Sequence, residues 1–336
     1  MSPAAALANI AADIAVDHAD LDAYELKSVR TGLILGSGAP NAREIRHAYR
    51  THEEKGIRKL SPFMLTKIMS NNIVASAATR LGIQGVSYAM HSACATSTHT
   101  IGHAAELVRH GVQDIVLAGG SEAVDWELVA MFDAMRALST AYNDETASRP
   151  YDVNRDGFVV SGGAGVLVIE EYERARARGA RILAEVTGYA ATSDGFDLTK
   201  PSGEGAAACM AQVKKQLGGI GRQVGYINTH GTSTPAGDVV ELKAIGEVFR
   251  ECPPLSSTKS LTGHGIAAAG VLEAVYCLLM LQGQFLAPSA HIVELDPEAA
   301  GYPIVRDATP QRFDTAISNG FGFGGSNAVI ALSLVE

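Results

Sequence analysis

The chain has 336 residues, 47% of them hydrophobic. That is enough to bury a large core in roughly two domain-sized units, which excludes a disordered tail and a small stapled module. A formal net charge of -9 argues against a general affinity for nucleic acid. Four cysteines, at 94, 209, 252 and 277, form no CxxC pair, so neither a disulfide scaffold nor a zinc site is expected and a reducing, cytoplasmic setting fits. No basic start with an apolar core and no uncharged run of about 18 apolar residues supports secretion or membrane spanning. The opening MSPAAALANIAADIAVDHADLD reads as a helix. From Thr31 onward, short β-branched or apolar runs alternate with longer helical patterns, as in strands carried in an α/β layer arrangement. In chain order the predicted strands are residues 32–36, 114–118, 165–169, 181–187, 224–228, 315–318 and 328–333, with amphipathic helices between several of them and no low-complexity linker. The 35 glycines are well above the average of about 7%, so many positions need tight turns or close backbone approach.

Two segments repeat one theme: a polar loop opens a small-residue helix, first at residues 92–110 and again at 257–281. Two like halves meeting face to face would bring those helix starts to one site. In HSACATSTHTIGHAAELVRHG, Cys94 stands directly before a helical run that begins near Ala95. Unsatisfied N–H groups and the positive dipole end at a helix start lower a thiol's pKa, so Cys94 is the candidate nucleophile; a buried, inert cysteine is the plain alternative. His99 and His103 share a helix face at a metal-binding spacing, but no acidic third ligand is evident, and partly buried, hydrogen-bonded histidines are expected instead. Further along, YINTHGTSTPAGD (226–238) and STKSLTGHGIAAAG (257–270) each follow a predicted strand and hold a histidine among small residues, where a polar side chain can face a cleft. Lys55, Arg58 and Lys59 in EEKGIRK (53–59) form a basic cluster, either a solvated helix end or a dock for an acidic partner.

With SACATS, ALST, RDGFV, THGTSTPAGD, STKSLTGH and SNGFGFGGSN in order between about Thr31 and Leu334, the chain resembles a β-ketoacyl-acyl carrier protein synthase of the elongating type, on the thiolase fold. FDAMRALST and the short PSGEG segment are more similar to type I enzymes than to type II. The resemblance implies a five-layer αβαβα arrangement of two similar halves, residues 1–170 with the nucleophile and 171–336 with the remaining catalytic groups. It implies Cys94, His230, His264 and Lys259 as the catalytic set, with backbone N–H groups of Cys94 and Phe323 meeting the oxyanion. Phe321 and Phe323 belong to the glycine-rich gate GFGFGG, which lacks the ending and the following helix of a phosphate-binding loop. Thr232 and Thr234 match residues that hold pantetheine amides. Met69, Phe132 and Phe158 match acyl-pocket positions, although core packing explains a Met or Phe as well. Glu273 is expected to anchor Lys259, Asp238 to support the site, and Lys55 and Arg58 to dock the carrier.

The implied reaction moves an acyl chain onto Cys94 and condenses it, with loss of carbon dioxide, with malonyl-acyl carrier protein during fatty-acid elongation. No tightly bound cofactor is expected; 4'-phosphopantetheine arrives on the carrier. A homodimer is expected, with no nucleic-acid or membrane partner. The two histidines should be neutral, each tautomer fixed by a partner on its other nitrogen. Against the family pattern, a first strand, glycine-rich turn and helix are absent before Met1, so the N-terminal half is expected to be incomplete. That strand is expected in the middle of its sheet, where its loss would leave two neighbours unpaired. Two other functions compete: a catalytically silent dimer partner of a full-length synthase, which would leave Cys94 unacylated, and a cysteine hydrolase, which would release free fatty acid.

Overall fold

The computed structural model of the chain describes residues 1–38 and 41–335. Pro3 takes the first turn of helix α1 (Pro3–His18), and Ser2 caps it by accepting a hydrogen bond from the Ala5 amide. Alanines 4, 5, 8 and 12 are buried, so α1 can lie close against a sheet. The first half continues through α2 (Ala23–Leu26), β1 (Thr31–Gly36), α3 (Ala42–Lys55), α4 (Met64–Ile68), α5 (Asn72–Leu81), β2 (Ser87–Ala89), α6 (Thr96–Arg109), β3 (Ile115–Glu122), α7 (Trp126–Ala134) and β4 (Gly163–Glu170). The second half holds α8 (Tyr172–Ala177), β5 (Glu185–Ser193), α9 (Glu204–Gly219), β6 (Tyr226–Asn228), α10 (Pro235–Val248), β7 (Leu255–Ser256), α11 (Lys259–Thr262), α12 (Ala269–Gly283), β8 (Phe285–Leu286), β9 (Thr309–Pro310), β10 (Thr315–Gly322) and β11 (Ser326–Ser333).

Two sheets carry the fold, ordered β2-β1-β3-β4 and β5-β11-β10-β6-β7. In the first, β2, β1 and β3 run parallel and β4 antiparallel; in the second, β7, β6 and β10 run parallel and β11 antiparallel, with β5 antiparallel again on its outer side. Helices α1 and α5 cover the outer face of the first sheet, α6 and α12 lie between the sheets, and α9 with α10 covers the second. This is the expected five-layer αβαβα order, and among the described residues the two main sheets correspond strand for strand except that β5 has no counterpart in the first. β1 and β3 are buried along their whole length and read as near-continuous apolar runs, as central parallel strands should.

Two expectations need correcting. The first sheet has no central gap, because β1 pairs with both β2 and β3, and β3 pairs with β4. Among the described residues the outer edge of β4 pairs with no strand, and no pair of neighbours is split. The strand expected over residues 181–187 begins only at Glu185, because its partner β11 ends at Ser333, opposite Glu185.

Helix α12 is apolar nearly all round because both its faces are covered, which suits a core helix. Its stretch Ile266–Gly283 has a mean hydropathy of 1.7, enough by length and composition to cross a membrane, yet it is 67% buried inside the fold. Close contact between α6 and α12 needs Gly270, where a Cβ would fall 2.5 Å from the Thr98 amide nitrogen. The Val271 amide also donates to Ser97 Oγ at 2.9 Å. The two helix starts therefore meet, as the repeated loop-helix theme requires.

Candidate active site

Cys94 lies in a one-turn 3-10 segment, Ala93–Ala95, that feeds α6. Ala93 before it has a φ of 50°, and Ile266, in the matching turn before α12, also has 50°. Left-handed backbone at non-glycine residues stores strain of about 1–3 kcal/mol each and is retained where the surroundings hold it. Cys94 is 8% exposed and packs with Leu128, Phe158 and Ile266, against the half-buried Phe132, Leu138 and Val160. Burial pushes its thiol up to about 12, against the opposing pull of the Lys259 ammonium. The expected lowering by the helix end is thus overturned for the resting chain. A helix terminus contributes only about 0.3–1 kcal/mol, under one pKa unit, whereas the thiolate here has lost its water. Alkylation of Cys94 by iodoacetamide should therefore rise about tenfold per pH unit from pH 7 to 9. Mass spectrometry with Cys94→Ala as the control reads this directly, and a plateau above pH 7 would show a resting thiolate.

His230 follows β6 and His264 follows α11; their rings lie 5.4 Å apart, nearly perpendicular at 87°. His264 is tied into the backbone beside the Phe158 segment: its N–H donates to Val159 O at 2.8 Å and its carbonyl accepts from Ser161 N at 3.0 Å. The Phe158 ring stands edge-on to it at 5.3 Å. Loss of hydration, then the positive charge of Lys259, holds both imidazoles well below the usual histidine range, with His264 acting further on His230. Both are therefore neutral near pH 7. Their Nδ1 atoms are buried with no hydrogen-bond partner, so a protein group on that nitrogen does not fix the tautomer as expected.

Lys259 and Glu273, each 2% exposed, form a buried ion pair between α11 and α12. Burial pushes the Glu273 carboxyl up to about 7, with Lys259 opposing. Asp238 is the other buried carboxylate expected to support the site. From the first turn of α10 it accepts from the Ser233 and Tyr151 amides at 3.0 and 3.1 Å, and Arg155 Nε lies 3.4 Å away.

Glu241, one turn further along α10, was not anticipated. Its carboxylate accepts from His230 N and Gly231 N, both at 2.8 Å, and from Asn319 Nδ2 at 2.9 Å. It thereby holds the histidine loop against β10. An i, i+3 acidic pair after THGTSTPAG was the available signal, since two carboxylates on one helix face beside a loop can collect that loop's amides. Arg155 was also missed. It reaches the carbonyls of Thr234 and Pro235 from inside the fold, at 3.1 and 2.7 Å.

The turn between β10 and β11 abuts Cys94. A Cβ on Gly322 would fall 2.6 Å from Ser92 O and 3.2 Å from the Cys94 nitrogen. Gly324 and Gly325 have φ of 84° and 72°, so glycine does set this turn. Phe321 packs on His230 with ring centroids 5.8 Å apart, and Phe323, 39% exposed, lies 6.4 Å from Phe132. Phe132 stacks edge-on with Phe158 at 5.1 Å. Met69 is half-buried at the end of α4 and is not part of the cluster around Cys94. The Thr232 and Thr234 hydroxyls bond to one another at 3.1 Å, and Thr234 makes no side-chain cap to α10, so ordinary capping does not account for them. Lys55 ends α3 and Arg58 follows it in an exposed turn. Lys55 shares a shallow surface groove with Arg43, Arg46, Arg50 and Lys67. His99 bonds to Tyr189 and His103 to Tyr88, so the two rings use separate partners.

A buried cysteine, two neutral imidazoles and a buried Lys-Glu pair thus gather around Phe158 and the starts of α6 and α12, where the two half-domains meet. The chain matches the Beta-ketoacyl synthase, N-terminal domain over residues 1–175 and the C-terminal domain over 183–293. It belongs to the β-ketoacyl synthase family and is an acyltransferase-type ketosynthase. It is 49% identical over 338 residues to the 3-oxoacyl-[acyl-carrier-protein] synthase 1 of Escherichia coli (strain K12), covering 99% of this chain and 82% of that protein. Identity to the 3-oxoacyl-[acyl-carrier-protein] synthase 2 of Vibrio cholerae is 41% over 330 residues, 95% of this chain and 79% of that protein. Among solved structures, a β-ketoacyl synthase from Burkholderia phymatum superposes with a TM-score of 0.93 at 34% identity, covering 99% of this chain and 82% of the other. A type II polyketide ketosynthase in complex with its acyl-carrier protein gives 0.93 at 29% identity, covering 99% and 85%.

Proposed function

We propose that the chain performs the decarboxylative condensation of an acyl group held on Cys94 with malonyl-acyl carrier protein, in fatty-acid chain elongation. The observation that carries it is the pair of neutral imidazoles, His230 and His264, 5.4 Å apart, with His264 against Phe158, which packs with the enclosed Cys94. A hydrolase needs a single oriented histidine; two neutral donors suit charge that develops on a thioester oxygen.

In the first half-reaction the Cys94 sulfur attacks the acyl thioester and the carrier's sulfur leaves. The thiol proton passes by way of a neutral imidazole to the departing thiolate. Backbone N–H groups of Cys94 and Phe323 meet the oxyanion, and Phe323 turns aside to admit the chain. In the second, malonyl thioester loses carbon dioxide, and the electron pair of the broken bond becomes an enolate that His230 and His264 stabilise by donating hydrogen bonds. The enolate carbon attacks the Cys94 thioester, the ketoacyl product leaves on the carrier, and the Cys94 thiolate takes a proton. Burial first, and the ammonium of Lys259 held by Glu273 second, keep both imidazoles neutral. Thr232 and Thr234 would take the amides of the carrier's 4'-phosphopantetheine. Phe132 and Phe158 line the acyl pocket, with Met69 at its margin, and Lys55 and Arg58 face the acidic carrier. Two copies form a homodimer in the cytoplasm, each with halves at 1–170 and 171–336. The higher identity to synthase 1 than to synthase 2 supports the type I assignment.

The test is intact-protein mass spectrometry after mixing with acyl-carrier protein and then malonyl-carrier protein. An acyl mass that depends on Cys94 and disappears as ketoacyl product forms is expected. A folded protein without the adduct would instead be a silent partner, and free fatty acid without condensation would mark a hydrolase.

A further inference from the structure

Cys94 and His264 each stand beside a turn of the same shape. Ala93, before the thiol, and Ile266, two residues after the imidazole, both have a φ of 50°. Such backbone persists only where its surroundings hold it, and one buried carboxylate is tied to both turns, directly on one side and through His91 on the other. Glu122 ends β3 and is 1% exposed. Its Oε2 accepts from the Gly38 amide at 2.8 Å and from the Ala267 amide at 3.4 Å. Ala267 belongs to the one-turn segment Ile266–Ala268 ahead of α12, and Ile266 packs with Cys94. That segment sits directly on the end of β3, where a Cβ on Gly120 would fall 2.9 Å from Ala267 O. On the other side, Ser37 next to Gly38 accepts at its carbonyl from Nδ1 of His91 at 2.7 Å, and His91 precedes Cys94 by three residues. The circuit therefore closes around the nucleophile, out through His91, Ser37 and Gly38 to Glu122 and back through Ala267 and Ile266.

We propose that Glu122 is a positioning residue of the Cys94 site: its carboxylate straps the loop after β1 to the turn before α12, and so holds Ile266 and the His264 loop against the nucleophile. The strap crosses between the halves, since β3 lies in the first and Ala267 in the second. Its charge has a second effect. Burial chiefly raises the Cys94 thiol, Lys259 opposes it, and Glu122 adds to the rise. The strap thus keeps Cys94 unreactive in the resting chain as well as in place.

The test compares Glu122→Ala with Glu122→Gln, whose side-chain oxygen can still accept from both amides. Hydrogen exchange reads residues 37–38 and 266–268, and mass spectrometry reads iodoacetamide alkylation at each cysteine. The proposal rests on Cys94 as the nucleophile, but neither readout needs carrier or condensation, so the two readings fail separately. With alanine, exchange in both segments should rise at least about tenfold, and Cys94 should alkylate faster while the buried Cys209 and Cys277 stay unmodified. Glutamine should restore slow exchange, yet its Cys94 should alkylate about threefold faster than wild type at pH 8, because the charge that opposes Lys259 is gone. The proposal fails if alanine leaves exchange at 266–268 unchanged, if glutamine exchanges as fast as alanine, or if all three cysteines react together in a folded variant. Should the alanine chain not fold, Glu122→Asp takes its place, keeping the charge but falling a methylene short of both amides. Faster exchange at 266–268 is expected there too, and wild-type exchange would overturn the strap.

Discussion

Lys259→Ala is expected to lower the stability of the chain by about 3–5 kcal/mol, because it leaves the Glu273 carboxylate buried without its partner. The loss should depend on pH in a defined direction. With Lys259 present, burial already raises the Glu273 carboxyl to about 7, and removing the ammonium raises it further. A carboxyl whose folded pKa lies above its unfolded value binds more protons when folded, so its contribution falls as pH rises through the window above about 4.5. The variant should therefore sit closer to wild type at pH 5 than at pH 8. Urea unfolding at the two pH values reads this, and an equal deficit at both would show that Glu273 is not the stranded group. Lys259 also depresses both imidazoles. Its removal should move the acidic limb of the condensation rate to higher pH, a shift that a purely structural loss would not produce.

His264→Ala should reduce decarboxylation of malonyl-carrier protein by about 10²–10³-fold, the usual effect of removing one donor to a developing oxyanion. Release of labelled carbon dioxide measures that step, and the acyl mass on Cys94 measures the other. Transfer to Cys94 should fall much less, since backbone N–H groups serve that oxyanion and His230 remains to relay the thiol proton. An equal loss in both steps would instead mean that the truncation has opened the cavity, because His264 packs against Phe158, which touches Cys94. Unchanged decarboxylation would remove His264 from the enolate site.

Most of the site was legible before the structure, because its parts are local. Cys94 precedes a helix and His230 and His264 stand in small-residue loops after strands, while Lys259 and Glu273 were expected only from the family resemblance. The seven predicted strands all have counterparts, since long apolar runs reflect burial on both faces. Four short strands, β2, β7, β8 and β9, were not foreseen; two or three residues carry no usable period. Glu241 escaped because its partners, the His230 and Gly231 amides and the Asn319 side chain, converge only after β6 and β10 pair.

The sequence by itself determined the α/β class and singled out Cys94, His230 and His264 as candidates, because each is written in residue type and near-neighbour spacing. Tertiary structure alone decided the protonation states and the order of the strands. The thiol pushed up, the imidazoles pushed down and the carboxyl near neutrality follow from the water each group loses when the two sheets close around α6 and α12. The order β2-β1-β3-β4 is a long-range pairing that no local pattern encodes.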